Sequence, residues 1–281
     1  MAHIKVKTAE DILDKSFEVL DKGFVRLVDY MGGDARIVQA ARVSYGEGTK
    51  TVREDKALID YLLRNKHTSP FEQVIFTFHV KMPIFVARQW IRHRTARLNE
   101  ISGRYSVMND EFYLPNPNEV RTQSKNNKQG SSSEDIDPEL AMKVIEALKQ
   151  EQTSLYTNYK GLIANNIARE LARINLPLSL YTEMYWQIDL HNLFHFLKLR
   201  MDSHAQYEIR VYGEVMAEIV KAVSPLAYQA FEEHILNGQR FSEDELELIL
   251  ASLDKDKFLA NLRKSELRKT RRQELLAKLD L

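Results

Sequence analysis

The sequence predicts an α+β fold in which several long helices pack on a sheet, and three observations carry that expectation. Apolar content of 44% with only ten glycines in 281 residues suits a helix-rich globular chain with an ample core. Residues 24–30, 74–80 and 178–189 alternate apolar and polar side chains as half-buried strands do. Between and beyond them, apolar residues recur at helical spacing, in the longest case from Pro138 onward.

Taken in order, residues 1–22 read as a helical lead-in, with Ile12, Leu13, Phe17 and Leu20 near helical spacing. The strand at 24–30 runs into a turn at Gly32 and Gly33 and then a helix that Asp34 would cap. Arg36 and Arg42 flank that helix's apolar residues and read as solvated arginines. The loop SYGEGTK holds Gly46 and Gly48 but lacks the lysine and hydroxyl spacing of a phosphate loop, so it reads as a turn. A helix over about 52–66 should bury Ala57, Leu58, Tyr61 and Leu62.

The compact polar segment HTSPFEQ precedes the strand QVIFTFHVKM, whose Val74, Phe76, Phe78 and Val80 share one face. His79, on the opposite face, reads as a satisfied structural histidine. Pro83 suits a helix start, after which Ile84, Ala87 and Ile91 form an apolar stripe and Gln89, Arg92, His93 and Ala96 a polar one. The following LNEISGRYS favours irregular backbone. Residues 116–137 are polar, with three consecutive serines, and read as a mobile loop or linker.

The long helix from Pro138 carries Leu140, Val144, Leu148, Leu155 and Leu162 at helical spacing, and a second helix over 165–175 carries Arg169, Glu170 and Arg173. Arg169 and Glu170 read as surface residues. After the strand at 178–189, a helix has Leu193, Phe194, Leu197 and Leu199 as its apolar set, and two more helices follow over 208–223 and 225–236. Arg200 falls at the edge of its helix's apolar face rather than squarely in water. From Gln239 the chain is densely charged and reads as short amphipathic helices; KSELRKTRRQ, with its alternating charge, reads as a solvated helix.

Composition excludes several classes. With no cysteine, the chain has no disulfide, no cysteine-ligated metal and no thiol nucleophile. A formal net charge of zero argues against a broad nucleic-acid binder. The N-terminal MAHIKVKTAEDILDK lacks a signal-peptide core and no apolar run is long enough to span a bilayer, so no membrane association and a cytoplasmic location are expected. His191 and His195 stand four apart, but Asn192 takes the place of a zincin glutamate and no third ligand is evident, so no metal is expected.

One stretch breaks the charge balance. Between Arg88 and Arg104 stand five arginines and His93 against a single acid, Glu100. Trp90, Phe85 and Ile91 are interleaved with them, which does not suit a purely solvent-facing segment. Planar guanidinium groups grip phosphate or carboxylate in paired hydrogen bonds, so the cluster points to a bound anion. Ser102, Gly103 and Ser106 beside Arg104 would supply the short hydroxyls and open backbone of a phosphate cradle.

The string RHRTARLNEISGRYS resembles the signature of the flavin-dependent thymidylate synthases: Arg-His-Arg, two variable residues, Ser, one variable, Asn-Glu, one variable, Ser, one variable, Arg. Arg92, His93, Arg94, Asn99, Glu100, Ser102 and Arg104 keep the pattern, and Arg97 replaces its first serine. The likeness runs from about Gly23 to about Phe231 through HTSPFEQVIFTFHVKMPIFVARQW, ARINLPLSLYT and FLKLRMDSHAQYEIR. It implies an antiparallel-type sheet, a single domain per subunit over 1–237 with sites at subunit interfaces of a homotetramer, and a charged helical extension over 238–281.

The resemblance further implies reductive methylation of deoxyuridylate (dUMP) to thymidylate, with methylenetetrahydrofolate as carbon donor and NADPH reducing a tightly held flavin adenine dinucleotide (FAD). Ser69, Arg92, His93, Arg94, Glu100, Asp189, His191 and His195 would hold the flavin, Asp189 standing where an asparagine is common. Gln89, Arg92, Glu100, Ser102, Gly103, Arg104, Arg173 and Arg200 would hold the nucleotide, and Arg200 would be the catalytic residue at the uracil ring. No GxGxxG follows any expected strand, so the flavin and nicotinamide rest on the family alone. Two other classes fit the arginine cluster itself: a noncatalytic nucleotide sensor, which would be colourless, and a nucleic-acid binder, whose affinity would fall steeply with salt.

Overall fold

A computed structural model describes residues 3–43, 52–125, 130–131 and 136–279. The expected turn at SYGEGTK lies outside the described residues, as does part of the polar stretch 116–137. The chain forms two compact units, Met1–Leu236 and Asn237–Leu281.

The first unit is built on a five-stranded antiparallel sheet, so the expected α+β class and strand arrangement hold. Its strands are β1 (Ser16–Val19), β2 (Gly23–Met31), β3 (Ile75–Pro83), β4 (Arg97–Glu100) and β5 (Tyr181–Asp189), in the order β1-β2-β3-β5-β4. Alternation decides what each strand buries. Val25 and Leu27 of β2, Phe76, Phe78, Val80 and Met82 of β3, and Met184, Trp186 and Ile188 of β5 line one apolar face.

Six helices precede residue 165: α1 (Lys7–Glu10), α2 (Asp34–Ala41), α3 (Val52–Arg64), α4 (Ser69–Glu72), α5 (Ile84–Trp90) and α6 (Pro138–Ala164). Four more follow, α7 (Arg169–Ala172), α8 (Leu190–Arg200), α9 (Tyr207–Val223) and α10 (Pro225–Phe231), the last continued by a π-helical turn, Glu232–Leu236. Helices α5, α8 and α9 cover the apolar sheet face, where Trp186, Phe196 and Tyr212 converge on Trp90. The opposite face is half-exposed and polar. There His79 accepts from Arg26 Nη2 at 3.0 Å and donates to Glu183 at 2.9 Å, the satisfied structural histidine expected of it.

Several local readings change. The lead-in is one helical turn followed by strand β1, because Phe17 and Val19 pair with β2 instead of continuing the helix. The cap of α2 is Gly33, at φ +149°, where a Cβ would meet Val6 at 2.9 Å and the Val223 carbonyl at 3.0 Å. Asp34, freed from capping its own helix, accepts from the backbone N–H groups of Leu226 and Ala227 and so caps α10. Arg42 is paired with Asp55 at 2.9 Å with both side chains largely buried, so it is no solvated arginine. In α3, Ile59 and Leu62 are buried and Tyr61 is exposed.

The helix α5 stops at Trp90, short of Ala96, and the chain turns into edge strand β4 where irregular backbone was expected. Pairing of residues 97–100 with 184–187 of β5, ninety positions away, supplies the backbone partners that local propensity could not. On α6 the apolar stripe is only half-covered: Leu140 and Leu162 at its ends are exposed and Val144, Leu148 and Leu155 half-buried, while Ala141, Gln152 and Tyr159 are buried. The inner stripe is fixed by polar tips that satisfy loop backbone. Gln152 donates to the Tyr113 carbonyl at 3.0 Å, and the Tyr159 hydroxyl accepts from Met108 N–H at 3.0 Å.

The second unit consists of α11 (Glu243–Ala251), α12 (Lys255–Lys264) and α13 (Lys269–Lys278). Ser242 and Glu245 form a capping box on α11, and Asp254 caps α12. Arg272 donates to the carbonyls of Leu267, Arg263 and Ser265, so one arginine of the basic run closes the α12 end instead of facing water. No helix among the described residues is long and apolar enough to cross a membrane.

Candidate functional site

Sequence order places the arginines at the end of α5 and in the turn after it, and the turn aims them away from the core. Trp90 is fully buried, which anchors the helix end and leaves Arg88, Arg92 and Arg94 exposed. With Ile91 these three line an open cavity of about 560 Å³ that no acidic side chain borders among the described residues. Three cations around one apolar floor repel each other unless an anion joins them. The donor set therefore fits a diphosphate, and the cavity is of the size that holds part of a dinucleotide.

His93 points the other way. It is 9% exposed, with Phe196 edge-on at 4.8 Å and His195 at 5.9 Å between ring centroids. Its Nε2 accepts from Arg200 Nε at 3.0 Å, and Arg200 Nη2 donates to the Gln89 carbonyl at 3.0 Å. Arg200 is the last residue of α8, half-buried as its position at the edge of the apolar face implied. Burial, then the charge of Arg200 and the proximity of His195, push the His93 pKa down to about 4. Burial also lowers that of Arg200, which nonetheless stays charged. The Gln89 side chain donates to Gln206, tying α5 to the loop before α9.

Beyond β4, residues 102–104 form a second basic corner. Ser102 Oγ accepts from Arg104 N–H at 3.3 Å, and Arg104 meets Glu170 of α7 at 3.2 Å. Gly103 is buried, and a Cβ there would sit 3.0 Å from both Arg173 Cδ and Met108 Sδ. A larger residue at 103 would displace the Arg173 and Met108 side chains from this corner. Arg169 donates to the Tyr105 carbonyl at 2.8 Å, so it and Glu170 are exposed yet engaged in holding this corner.

The remaining expected residues are more dispersed. Glu100 on β4 accepts from Thr182 Oγ1 at 2.6 Å. Asp189 caps α8 through the Asn192 backbone at 2.9 Å and also accepts from the Asn192 side chain at 2.7 Å. Its carboxylate is thus engaged within the protein. His191 is half-buried and His195 exposed on the same helix. Ser69 opens α4, which packs on α8 through Phe71 and Phe194.

Thr182, Asn192 and Gln206 escaped the sequence reading, and Arg88 entered it only as a member of the anion-binding run. Asn192 accepts from Thr95 at 2.8 Å while bonding Asp189, and so pins the arginine turn to α8. Thr182, Asn192 and Gln206 act through contacts across 82–117 positions of chain that no local pattern records. Neither His191 nor His195 joins a metal-ligating group among the described residues; the group found there, Asp60, Glu233 and His234, has its Asp60 paired with His234 at 2.6 Å and Arg64 at 3.6 Å.

Comparison with known proteins adds an independent line. Residues 26–226 match the family described as Thymidylate synthase complementing protein, Thy1. The flavin-dependent thymidylate synthase of Treponema denticola is 70% identical over 237 residues, covering 84% of this chain and 89% of that protein. That of Thermus thermophilus is 62% identical over 228 residues, covering 81% and 82%. A solved structure of the UMP/dUMP methylase PolB from Streptomyces cacaoi, bound with 5-Br UMP, superposes with a TM-score of 0.70 at 32% identity, covering 78% of this chain and 97% of that one.

Proposed function

The chain belongs to the flavin-dependent thymidylate synthase family, and on that premise we propose that it methylates dUMP to thymidylate with methylenetetrahydrofolate as carbon donor and NADPH as reductant. One observation carries the reading: a guanidinium anchored on two sides, Arg200, is bonded to Gln89 and His93 of the same segment whose Arg88, Arg92 and Arg94 line a cavity fit for a diphosphate. Two phosphorylated ligands meeting there account for positive charge that an otherwise neutral chain concentrates in one place.

Arg92 and Arg94 would hold the diphosphate of FAD, with Ser69, Glu100, His191 and His195 around it, whereas the ring of His93, expected in the same set, is turned to Arg200 instead. Asp189 acts through its cap on α8, which sets the direction of that helix. Held there, the flavin would supply the two-electron reduction of the transferred one-carbon unit, with NADPH as the source of the electrons. Ser102, Gly103, Arg104 and Arg173 would hold the nucleotide phosphate, and Gln89 and Glu100 its sugar and base.

The chain has no cysteine, so the uracil ring must become nucleophilic without a thiolate adduct. A fixed guanidinium suits this. Arg200 would stabilise negative charge on the ring oxygens as the imide proton is lost or shielded, which raises electron density at the carbon that takes the methylene group. Arg200 needs no proton transfer of its own, since it stays charged at any working pH.

Exposed Leu162, Ile167, Leu171, Ile174 and Leu178 follow one another around α7 and Arg173. Apolar surface of that kind beside a binding corner supports sites completed between subunits of a homotetramer. The test is direct: the purified chain is expected to be yellow and to form thymidylate only when dUMP, methylenetetrahydrofolate and NADPH are all present. A colourless protein that binds dUMP without turnover would instead make it a nucleotide sensor.

A further inference from the structure

Resting on the assignment of Arg200 to the uracil ring, we propose that His93 is a positioning residue, a neutral imidazole whose bare Nε2 accepts the Arg200 Nε–H and sets the plane in which the guanidinium is presented. The direction of the bond follows from chemistry. An arginine N–H carries no lone pair, so at 3.0 Å Arg200 donates and His93 accepts. Nε2 must then be unprotonated, and the proton of the neutral ring sits on Nδ1.

An imidazolium has no acceptor and would place two cations in contact. The protein guards against that form. His93 is buried, wedged edge-on against Phe196 and His195, and faces the fixed charge of Arg200. These surroundings hold its pKa near 4, so the acceptor persists across the neutral range.

A planar group is oriented by bonds along two of its edges. Arg200 Nε is fixed by His93 and Nη2 by the Gln89 carbonyl, both from the end of α5, while the stem is fixed by the last turn of α8. Among the described residues this leaves Nη1 and the second Nη2 hydrogen to meet a ligand, a fork suited to adjacent oxygen and nitrogen atoms of a uracil ring.

Two variants separate these roles. His93→Phe keeps the packing on Phe196 and removes the acceptor; His93→Gln places an amide oxygen near the position of Nε2. With saturating substrates, His93→Phe is expected to lower kcat about thirtyfold or more while bound flavin and dUMP affinity stay within about threefold. His93→Gln should recover at least about tenfold of that loss. A His93→Phe enzyme within about threefold of the parent kcat, a glutamine variant as slow as the phenylalanine one, or loss of flavin in both, would overturn the proposal. ¹⁵N NMR of histidine-labelled ligand-free protein gives a readout without turnover. The signal missing from His93→Phe should be the Nδ1–H tautomer, and an Nε2–H tautomer at neutral pH would also overturn it. Failure of the parent protein to make thymidylate would sink the enzyme assignment while leaving the tautomer result intact, so the two failures are distinguishable.

Discussion

At the scale of single residues, the difference between Arg200 and its arginine neighbours is one of surroundings. Arg200 is half-buried and bonded along two edges, whereas Arg92 and Arg94 are exposed cavity walls. Replacing Arg200 by lysine keeps the charge but loses the planar fork. Arg200→Lys is expected to retain bound flavin and to lose about a hundredfold or more in thymidylate formation; normal turnover by this variant would remove Arg200 from the ring. Arg94→Ala acts on the other ligand. It should lose most of its visible flavin absorbance on gel filtration before dUMP binding weakens, and a fully yellow Arg94→Ala protein would contradict the diphosphate assignment.

Among elements, the short ones carry the site, and each depends on a long-range partner. Strand β4 exists because β5 offers it an edge, and α10 starts where it does because Asp34 accepts two of its first N–H groups. Burial raises the Asp34 pKa to about 6, against the opposing pull of the Leu226 and Ala227 N–H groups, with the nearby charge of Asp55 adding to the rise. A group whose folded pKa lies above its unfolded one contributes stability that is present below pH 4 and lost as pH rises through 6. Subtracting the Asp34→Asn unfolding curve from that of the parent between pH 4 and 7 should expose a component of up to about 3 kcal/mol falling with pH. A flat difference would mean that the carboxylate titrates normally.

For the whole molecule, both apolar clusters of the first unit draw only on residues up to Leu236, and the family match ends at residue 226. We therefore propose that the synthase domain ends near residue 237 and that a chain ending there keeps its fold and turnover; loss of activity on truncation would assign α11–α13 to the enzyme. The exposed leucines and isoleucines around α7 belong to the same scale. Light scattering should report a mass of about four chains for the full protein, and Leu171→Glu with Ile174→Glu should break the assembly and the activity together, since Arg173 lies between them.

The sequence by itself determined the class of fold, the three long strands, the buried face of the one at 74–80 and the chemistry of the arginine run. Period-two alternation, helical spacing and a local excess of charge are all properties of neighbouring residues. It also determined, through RHRTARLNEISGRYS, the family. Tertiary structure alone decided that α6 buries Gln152 and Tyr159 while Leu140 and Leu162 stay exposed, that Asp34 caps a helix 192 and 193 positions away, that residues 97–100 become a strand, and that His93 and Arg200 share a hydrogen bond. Each of those joins groups far apart in the chain, and a buried polar group takes whichever partner the packed core brings within reach.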